Sequence, residues 1–274
     1  MADGDYERGR ARELGAIAAE LKRLAAARQE PQAARHEPRI FVLNGWAASP
    51  HAWDLCKFMP PPTGTTGVSP VASRPRLFSY VEQLDGEPEK ALANVDRCIL
   101  VGWSMGGSSA LRLAARWPEK IAGLVLIAAT PRMMEDKDTG WRGTSPRRLE
   151  ALRYGLVMTR GAGFFGVPEG KPNPYLADEP ANLERGLTYL LETDVRAELT
   201  TSHQQLTTPI HIFQSEHDGI VRPENAAWLK TVFPQASVTM VPGTEHALPI
   251  FIPELIDEAV DSCIRLAAAS QDPT

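Results

Sequence analysis

"CILVGWSMGGSSALRLAARWPEKIAGLVLIAAT", residues 98–130, decides the architecture. Cys98 to Trp103 is an apolar run without polar alternation, the pattern of a strand covered on both faces. A serine between glycines follows, then an amphipathic stretch ended by Pro118, then a second apolar run from Gly123 to Ala129. Strand, tight turn, helix, strand is the unit of a parallel sheet wound with helices on both faces. Gly102-Trp103-Ser104-Met105-Gly106 is thus a G-x-S-x-G pentapeptide at a strand-to-helix junction. A side chain projected from so tight a turn favours neighbours without a Cβ. The helix opened by Met105, Gly106 and Gly107 aims its first N–H groups at developing negative charge. At this point Ser104 has two readings, a nucleophile or a helix cap.

The alternation extends in both directions. Upstream, "RIFVLNGW" reads as a strand and a loop, "RLFSY" as a second strand, and residues 88–95 as a short helix before the strand "CILVGW". Between the first two strands, "PPPTGTTGVSP" at 60–70 is too rich in Pro, Gly and Thr for regular structure. Leu14, Ile17, Leu21 and Leu24 recur at three- and four-residue spacing, which predicts an amphipathic helix over 6–28, a packing or dimer-contact appendage. Downstream the pattern breaks. Residues 131–205 carry helical stretches such as "SPRRLEALRYGLVM" and "NLERGLTYLLETDV" without a convincing strand, and read as an inserted helical subdomain. The sheet resumes with "PIHIFQSEHD", the helix "RPENAAWLKTVF", the strand "SVTMVPGTEH" and a last helix from about 252 to 268. The expected division is a helical extension and linker over 1–37, a core from 38–130 and 206–274, and a lid over 131–205.

Composition narrows the function. A chain of 274 residues with 43% hydrophobic and 23% charged residues is ordinary for a globular protein and argues against disorder. The formal charge of −5 offers no general basic face for a phosphate backbone, so nucleic acid is not an expected partner. Cys56, Cys98 and Cys263 lie far apart with no C-x-x-C spacing, which points to a reducing compartment rather than a disulfide framework or a zinc knuckle. The N-terminus mixes acids, arginines and alanines without an apolar core, unlike a secretory signal, and no stretch nears the roughly 20 apolar residues of a membrane span. The expectation is a cytoplasmic protein without metal or organic cofactor.

A serine hydroxyl needs a base to take its proton and a carboxylate to hold that base in one tautomer. After a G-x-S-x-G elbow the acid and then the base follow in the chain. Four histidines follow Ser104. His203 lies in polar sequence, His211 inside a strand, and His217 beside a strand end. His246 follows "VTMVPGTE", where a loop can carry it over the carboxyl edge of the sheet, and is the candidate base. For the acid, Asp218 in the turn before "GIVRPENA" leads, with Glu216 second. Asp194, in the insertion, and Asp257, in the final helix, fit worse. The oxyanion donors expected are the backbone N–H groups of Met105 and, in the loop Leu43-Asn44-Gly45-Trp46, of Trp46.

On these motifs the chain resembles the α/β-hydrolase superfamily over 38–268. Within it, "VGWSMGG", "SPRRLEALRYG" and "GLTYLLETDVRAEL" leading into "TTPIHIFQSEHDGIV" are most similar to the pimeloyl-acyl-carrier-protein methyl ester esterases of biotin synthesis. That resemblance implies an α/β-hydrolase fold with a mostly parallel sheet flanked by helices, and a cleft under a helical lid that takes a dicarboxylate methyl ester. It also implies lid arginines that meet an acidic carrier protein, here Arg142, Arg147, Arg148 and Arg153. Residues 132–160 hold seven Lys/Arg against four Asp/Glu, on an acidic chain; a solvated helical face would look the same. Trp46, Trp103, Phe164 and Phe165 are candidates to bind the small acyl ester, with Trp141 and Tyr175 also available. Two features depart from the superfamily. Its usual His-Gly is Asn44-Gly45 here, and a helix stands in place of the opening hairpin, so the sheet is expected to be truncated at one edge.

The implied activity is serine carboxylesterase chemistry. A thioesterase, an acyltransferase or a general carboxylesterase could use the same groups, and a ligand receptor on the same scaffold could retain them. Dehalogenases and epoxide hydrolases of this fold use an aspartate at the elbow, against which Ser104 argues.

Overall fold

A computed structural model describes residues 14–16, 38–59, 75–159, 170–175, 178–202, 205–243 and 245–270. Its strands are β1 (Arg39–Leu43), β2 (Arg76–Phe78), β3 (Cys98–Trp103), β4 (Ile121–Ile127), β5 (Ile210–Ser215) and β6 (Ser237–Val241). Two short helices, α1 (Tyr80–Leu84) and α2 (Glu87–Ala93), lie between β2 and β3, and α3 (Met105–Arg116) lies between β3 and β4. Between β4 and β5 come α4 (Pro146–Thr159), α5 (Pro180–Glu192) and α6 (Arg196–Ser202). After β5 the chain adds α7 (Glu224–Val232), then β6, α8 (Leu248–Phe251) and α9 (Pro253–Ala269).

The six strands form one parallel sheet in the order β2-β1-β3-β4-β5-β6. β3 and β4 are buried at every residue, because a central strand covered by helices on both faces leaves no side for polar groups. Alternate residues feed two cores. Ile99, Val101, Val125 and Ile127 pack on one face with Ile256, Val260 and Cys263 of α9. Leu100, Leu124 and Leu126 pack on the other with Leu111 and Leu113 of α3 and Leu229 of α7. The order reverses between β1 and β3, since β1 leads outward to β2 while β3 continues the sheet inward. Such a switch point opens a crevice at the carboxyl ends of the strands.

The segment between β4 and β5 contains helices and isolated bridges but no strand among the described residues. Its base is fastened by interleaved charges. Asp194 Oδ2 accepts from Arg132 Nη1 at 2.6 Å and Arg196 Nη2 at 2.8 Å, and Arg196 also reaches Asp136 Oδ2 at 3.2 Å. Burial works against ionised Asp194, but the hydrogen bonds from Arg196 and Arg132 prevail and hold its carboxyl down to about 2.

Several local readings shift. Tyr80–Leu84 is helix α1, where the sequence reading ends a strand at Tyr80 and assigns nothing to 81–84. A capping box starts it: Ser79 Oγ accepts from Glu82 N at 3.2 Å, and Glu82 Oε2 accepts from Ser79 N at 2.8 Å. β4 begins at Ile121, two residues before the apolar run Gly123–Ala129, because a 3-10 turn over Pro118–Lys120 delivers the chain straight into the sheet. The last helix falls where the sequence places it, as α9, but a short helix α8 precedes it, and the two part at Ile252 because Pro253 has no N–H to continue a helix across it. Of the helix expected over 6–28, Leu14–Ala16 is described and helical, with Leu14 against the core. The rest of that stretch, like Phe164, Phe165, His203 and residues 60–70, lies outside the described residues. Among the described residues no hairpin precedes β1, and no helix is long and apolar enough to cross a membrane.

Candidate active site

The end of β3 places Ser104 over the switch point in a backbone conformation side chains rarely adopt, φ 55° and ψ −118°. The surroundings enforce it. Ser104 N donates to Ile127 O of β4 at 2.9 Å, and Ser104 O accepts from Gly107 N at 2.8 Å. A Cβ on Gly106 would stand 2.0 Å from Leu43 O, and one on Gly102 would stand 2.5 Å from Gly106 O, so both glycines are needed for the turn to close. Ser104 is 7% exposed.

Two later strand ends converge on it. His246, in the loop after β6, brings Nε2 to 2.9 Å from Ser104 Oγ. Its Nδ1 lies 2.8 Å from Asp218 Oδ2, in the turn after β5. Asp218 is itself fixed at both oxygens. Oδ1 accepts from Ile220 N at 2.7 Å and Val221 N at 3.0 Å, and Oδ2 accepts a further bond from Gln214 Nε2 at 3.3 Å. The His246 loop is gripped through its backbone: Trp103 Nε1 donates to His246 O at 2.9 Å, and Ser215 Oγ donates to Glu245 O. Serine, imidazole and carboxylate therefore form one buried hydrogen-bonded chain, with Ser104 and the His246 loop held by neighbouring strands and Asp218 by its own turn and strand.

The alternative acids and bases lie elsewhere. Glu216 and His217 are exposed. His211 stays on β5 with Nδ1 2.8 Å from Ser237 Oγ, and burial pulls it down to about 4. Asp194 belongs to the arginine cluster, and Asp257 accepts from Lys57 N at 3.0 Å and Phe58 N at 3.2 Å. Burial pushes the Cys98 and Cys263 thiols up to about 12, which leaves them un-ionised.

Around Ser104, the backbone N–H groups of Trp46 and Met105 have no acceptor among the described residues. The Trp46 loop lies against the serine, for a Cβ on Gly45 would be 3.4 Å from Ser104 Cβ. A cleft opens over Ser104, lined beside it by Gly45, Trp46, Trp103 and His246. Its walls are Met133, Leu149, Leu152, Leu156, Leu190, Ile220 and Tyr175. Leu149, Leu152 and Leu156 repeat at helical spacing and put one face of α4 over the serine. Trp141 takes no part: it stacks edge-on against Trp228 at 5.6 Å and donates Nε1 to Arg132 O.

Two of the four arginines proposed for docking are engaged. Arg142 pairs with Glu224 at 3.1 Å, and Arg153 with Glu150 at 3.0 Å and Glu184 at 3.6 Å. Arg147 and Arg148 are exposed and have no ion pair among the described residues. No group of three or more His, Cys, Asp or Glu side chains among the described residues could hold a metal ion. Asn44, Gln214 and the grip of Trp103 on His246 escape sequence reasoning. A polar residue in an apolar strand was the one available signal, and Gln214 carries it.

Residues 56–252 match the family model for the alpha/beta hydrolase fold. The chain belongs to the α/β-hydrolase fold family. This α/β hydrolase is 29% identical over 187 residues to a pimeloyl-[acyl-carrier protein] methyl ester esterase of Nitrosospira multiformis, covering 62% of this chain and 68% of that one. To the protein of the same name from Nitrosomonas europaea it is 26% identical over 253 residues, 82% of this chain and 95% of the relative. Among solved structures it is similar to an esterase from Exiguobacterium antarcticum, with a TM-score of 0.59 and 15% identity over 83% of this chain and 91% of the other. At that identity the likeness concerns the fold of the hydrolase alone.

Proposed function

We propose that the protein is a serine carboxylesterase whose substrate is the methyl ester of a pimeloyl group on acyl carrier protein, acting in biotin synthesis. The observation that carries the chemistry is the relay from Ser104 Oγ through His246 to Asp218, at 2.9 and 2.8 Å. The substrate rests on the names of the relatives, on the cleft, and on Arg147 and Arg148, which are exposed on the helix that lines it and have no ion pair among the described residues.

Ser104 Oγ attacks the ester carbonyl as His246 Nε2 takes its proton, and Asp218 stabilises the imidazolium through Nδ1–H. The Trp46 and Met105 N–H groups receive the oxyanion, at the point where the α3 N-terminus adds its own positive field. His246 returns the proton to the departing alkoxide, which leaves as methanol. Water then enters by the same base and releases the acid. On this reading residues 131–205 form a lid whose α4 leucines cover the apolar chain, and Arg147 and Arg148 meet the acidic carrier. Residues 1–37 are an extension outside the catalytic core 38–130 and 206–274, and the protein works in the cytoplasm without a cofactor.

Turnover of a short p-nitrophenyl ester by the wild type and its loss in Ser104→Ala test the chemistry. Equal turnover by both refutes it. Charge reversal at Arg147 and Arg148 should weaken turnover of the carrier-bound ester and spare the small one. Rescue of a biotin auxotroph lacking its methyl ester esterase tests the pathway; failure with soluble, esterase-active protein leaves a general carboxylesterase.

A further inference from the structure

The loop carrying the Trp46 N–H is closed by a backbone bond, Ala48 N to Gly45 O at 3.2 Å, and over a wider span by one carboxamide. Asn44 is 0% exposed. Its Nδ2 donates to Ala48 O at 3.0 Å and to Ser49 O at 3.2 Å, and its Oδ1 accepts from Trp53 Nε1 at 3.0 Å. Its main chain is tied as well. Asn44 N donates to Phe78 O at 3.0 Å, and Asn44 O accepts from Gln83 Nε2 at 2.9 Å. The side chain thus bridges the start of the loop to its end, with Gly45, Trp46 and Ala47 spanning the gap. Within that span Ala47 sits at φ 54°, a conformation an alanine keeps only where its surroundings over-determine it. The far end of the loop is anchored separately, through Ser49 N to Pro174 O at 2.8 Å.

We infer that Asn44 is a positioning residue: its carboxamide, bridging residue 44 to residues 48 and 49, holds the strained turn that presents the Trp46 N–H to the oxyanion. The inference rests on the ester hydrolysis reading. It follows from the geometry because no other side chain spans the turn among the described residues, and because an oxyanion donor must be preorganised rather than drawn in during the reaction. A carboxamide suits the task, with donors for two carbonyls and an acceptor for an indole N–H. An imidazole could supply one such donor from its Nδ1.

The test compares wild type, Asn44→Ala, Asn44→His and Asn44→Asp for kcat and KM on a short p-nitrophenyl ester. It also measures the rate at which a fluorophosphonate labels Ser104, a reaction in which Ser104 Oγ displaces fluoride through a five-coordinate phosphorus whose phosphonyl oxygen gains negative charge. In Asn44→Ala, kcat and the labelling rate should both fall on the order of 10²-fold, with KM within about threefold. Asn44→His should recover about tenfold of that loss. A folded Asn44→Ala with kcat and labelling within about threefold of wild type overturns the inference, as does a loss carried by KM. Should Asn44→Ala fail to fold, the isosteric Asn44→Asp decides, since its carboxylate keeps an acceptor for Trp53 Nε1 and has no amide donors for Ala48 O and Ser49 O: a fall of about tenfold or more in kcat and labelling supports the role, and rates within about threefold of wild type reject it. Were the wild type to label at Ser104 without turning over esters, the ester reading would fail while the labelling rates still judged Asn44.

Discussion

Asp218→Asn should nearly abolish turnover while leaving the protein folded, and the hydrogen bonds say why. Both backbone donors, Ile220 N and Val221 N, point at Oδ1 at 2.7 and 3.0 Å, so the asparagine oxygen is required there. Turned the other way, the amide would set its NH2 against two N–H groups and leave them unsatisfied, at about 1–3 kcal/mol each. The amide nitrogen therefore replaces Oδ2, 2.8 Å from His246 Nδ1. An NH2 there can only donate, so Nδ1 becomes an acceptor and the ring proton moves to Nε2. A protonated Nε2 at 2.9 Å from Ser104 Oγ donates to the serine instead of taking its proton. The expected loss in kcat is about 10⁴-fold, equivalent to about 5 kcal/mol of barrier, with KM little changed. Steady-state kinetics on a p-nitrophenyl ester, beside a thermal melt to establish folding, measures it. A folded Asp218→Asn with kcat within tenfold of wild type would refute the relay and the role given to His246.

Other outcomes follow from packing and charge. Gly186→Ala would put a Cβ 2.4 Å from Trp46 Cδ1 and 2.6 Å from its Nε1, displacing the indole from its bond to Leu183 O. Overpacking of about 1–3 kcal/mol should lower Tm by several degrees, and an unchanged melt would contradict the contact. Leu152→Trp narrows the cleft beside Ser104. It should cut kcat/KM for hexanoyl and longer esters at least about tenfold more than for acetyl esters, and an equal effect on both would remove α4 from the acyl site. Because Asp194 is held down to about 2 from an ordinary 3.8, its contribution is complete above pH 3.8 and is lost as pH falls through 2. Urea midpoints at pH 7 and pH 3 should therefore differ less in Asp194→Asn than in wild type, and identical pH dependence would show the cluster idle.

Much of the framework is legible locally. The unbroken apolar runs of β3 and β4 announce buried parallel strands because no polar residue could be satisfied on either face. The elbow is legible because the turn leaves no room for a Cβ at Gly102 or Gly106. Helix α1 was missed although its capping box, Ser79 and Glu82, is written in the chain, since the apolar residues before it continue the strand pattern. The last helix was legible from about 252 because Pro253 reads as the first-turn residue it is in α9, whereas the four residues of α8 before it are too few to show a helical period.

The sequence by itself determined the winding of the sheet, the serine at its elbow, and an acid and a base in the right order on later strand ends. These rest on patterns a few residues long, which sterics and burial impose locally. Only the tertiary structure set Asp218 rather than Glu216 against His246, gave Arg142 and Arg153 acids while Arg147 and Arg148 have none among the described residues, and gave Asn44 and Trp103 their grips on the two loops around the serine. The reason is distance along the chain. His246 meets Asp218 across 28 positions and Ser104 across 142, and a partner so remote is chosen by how strands and helices pack, which no local pattern encodes.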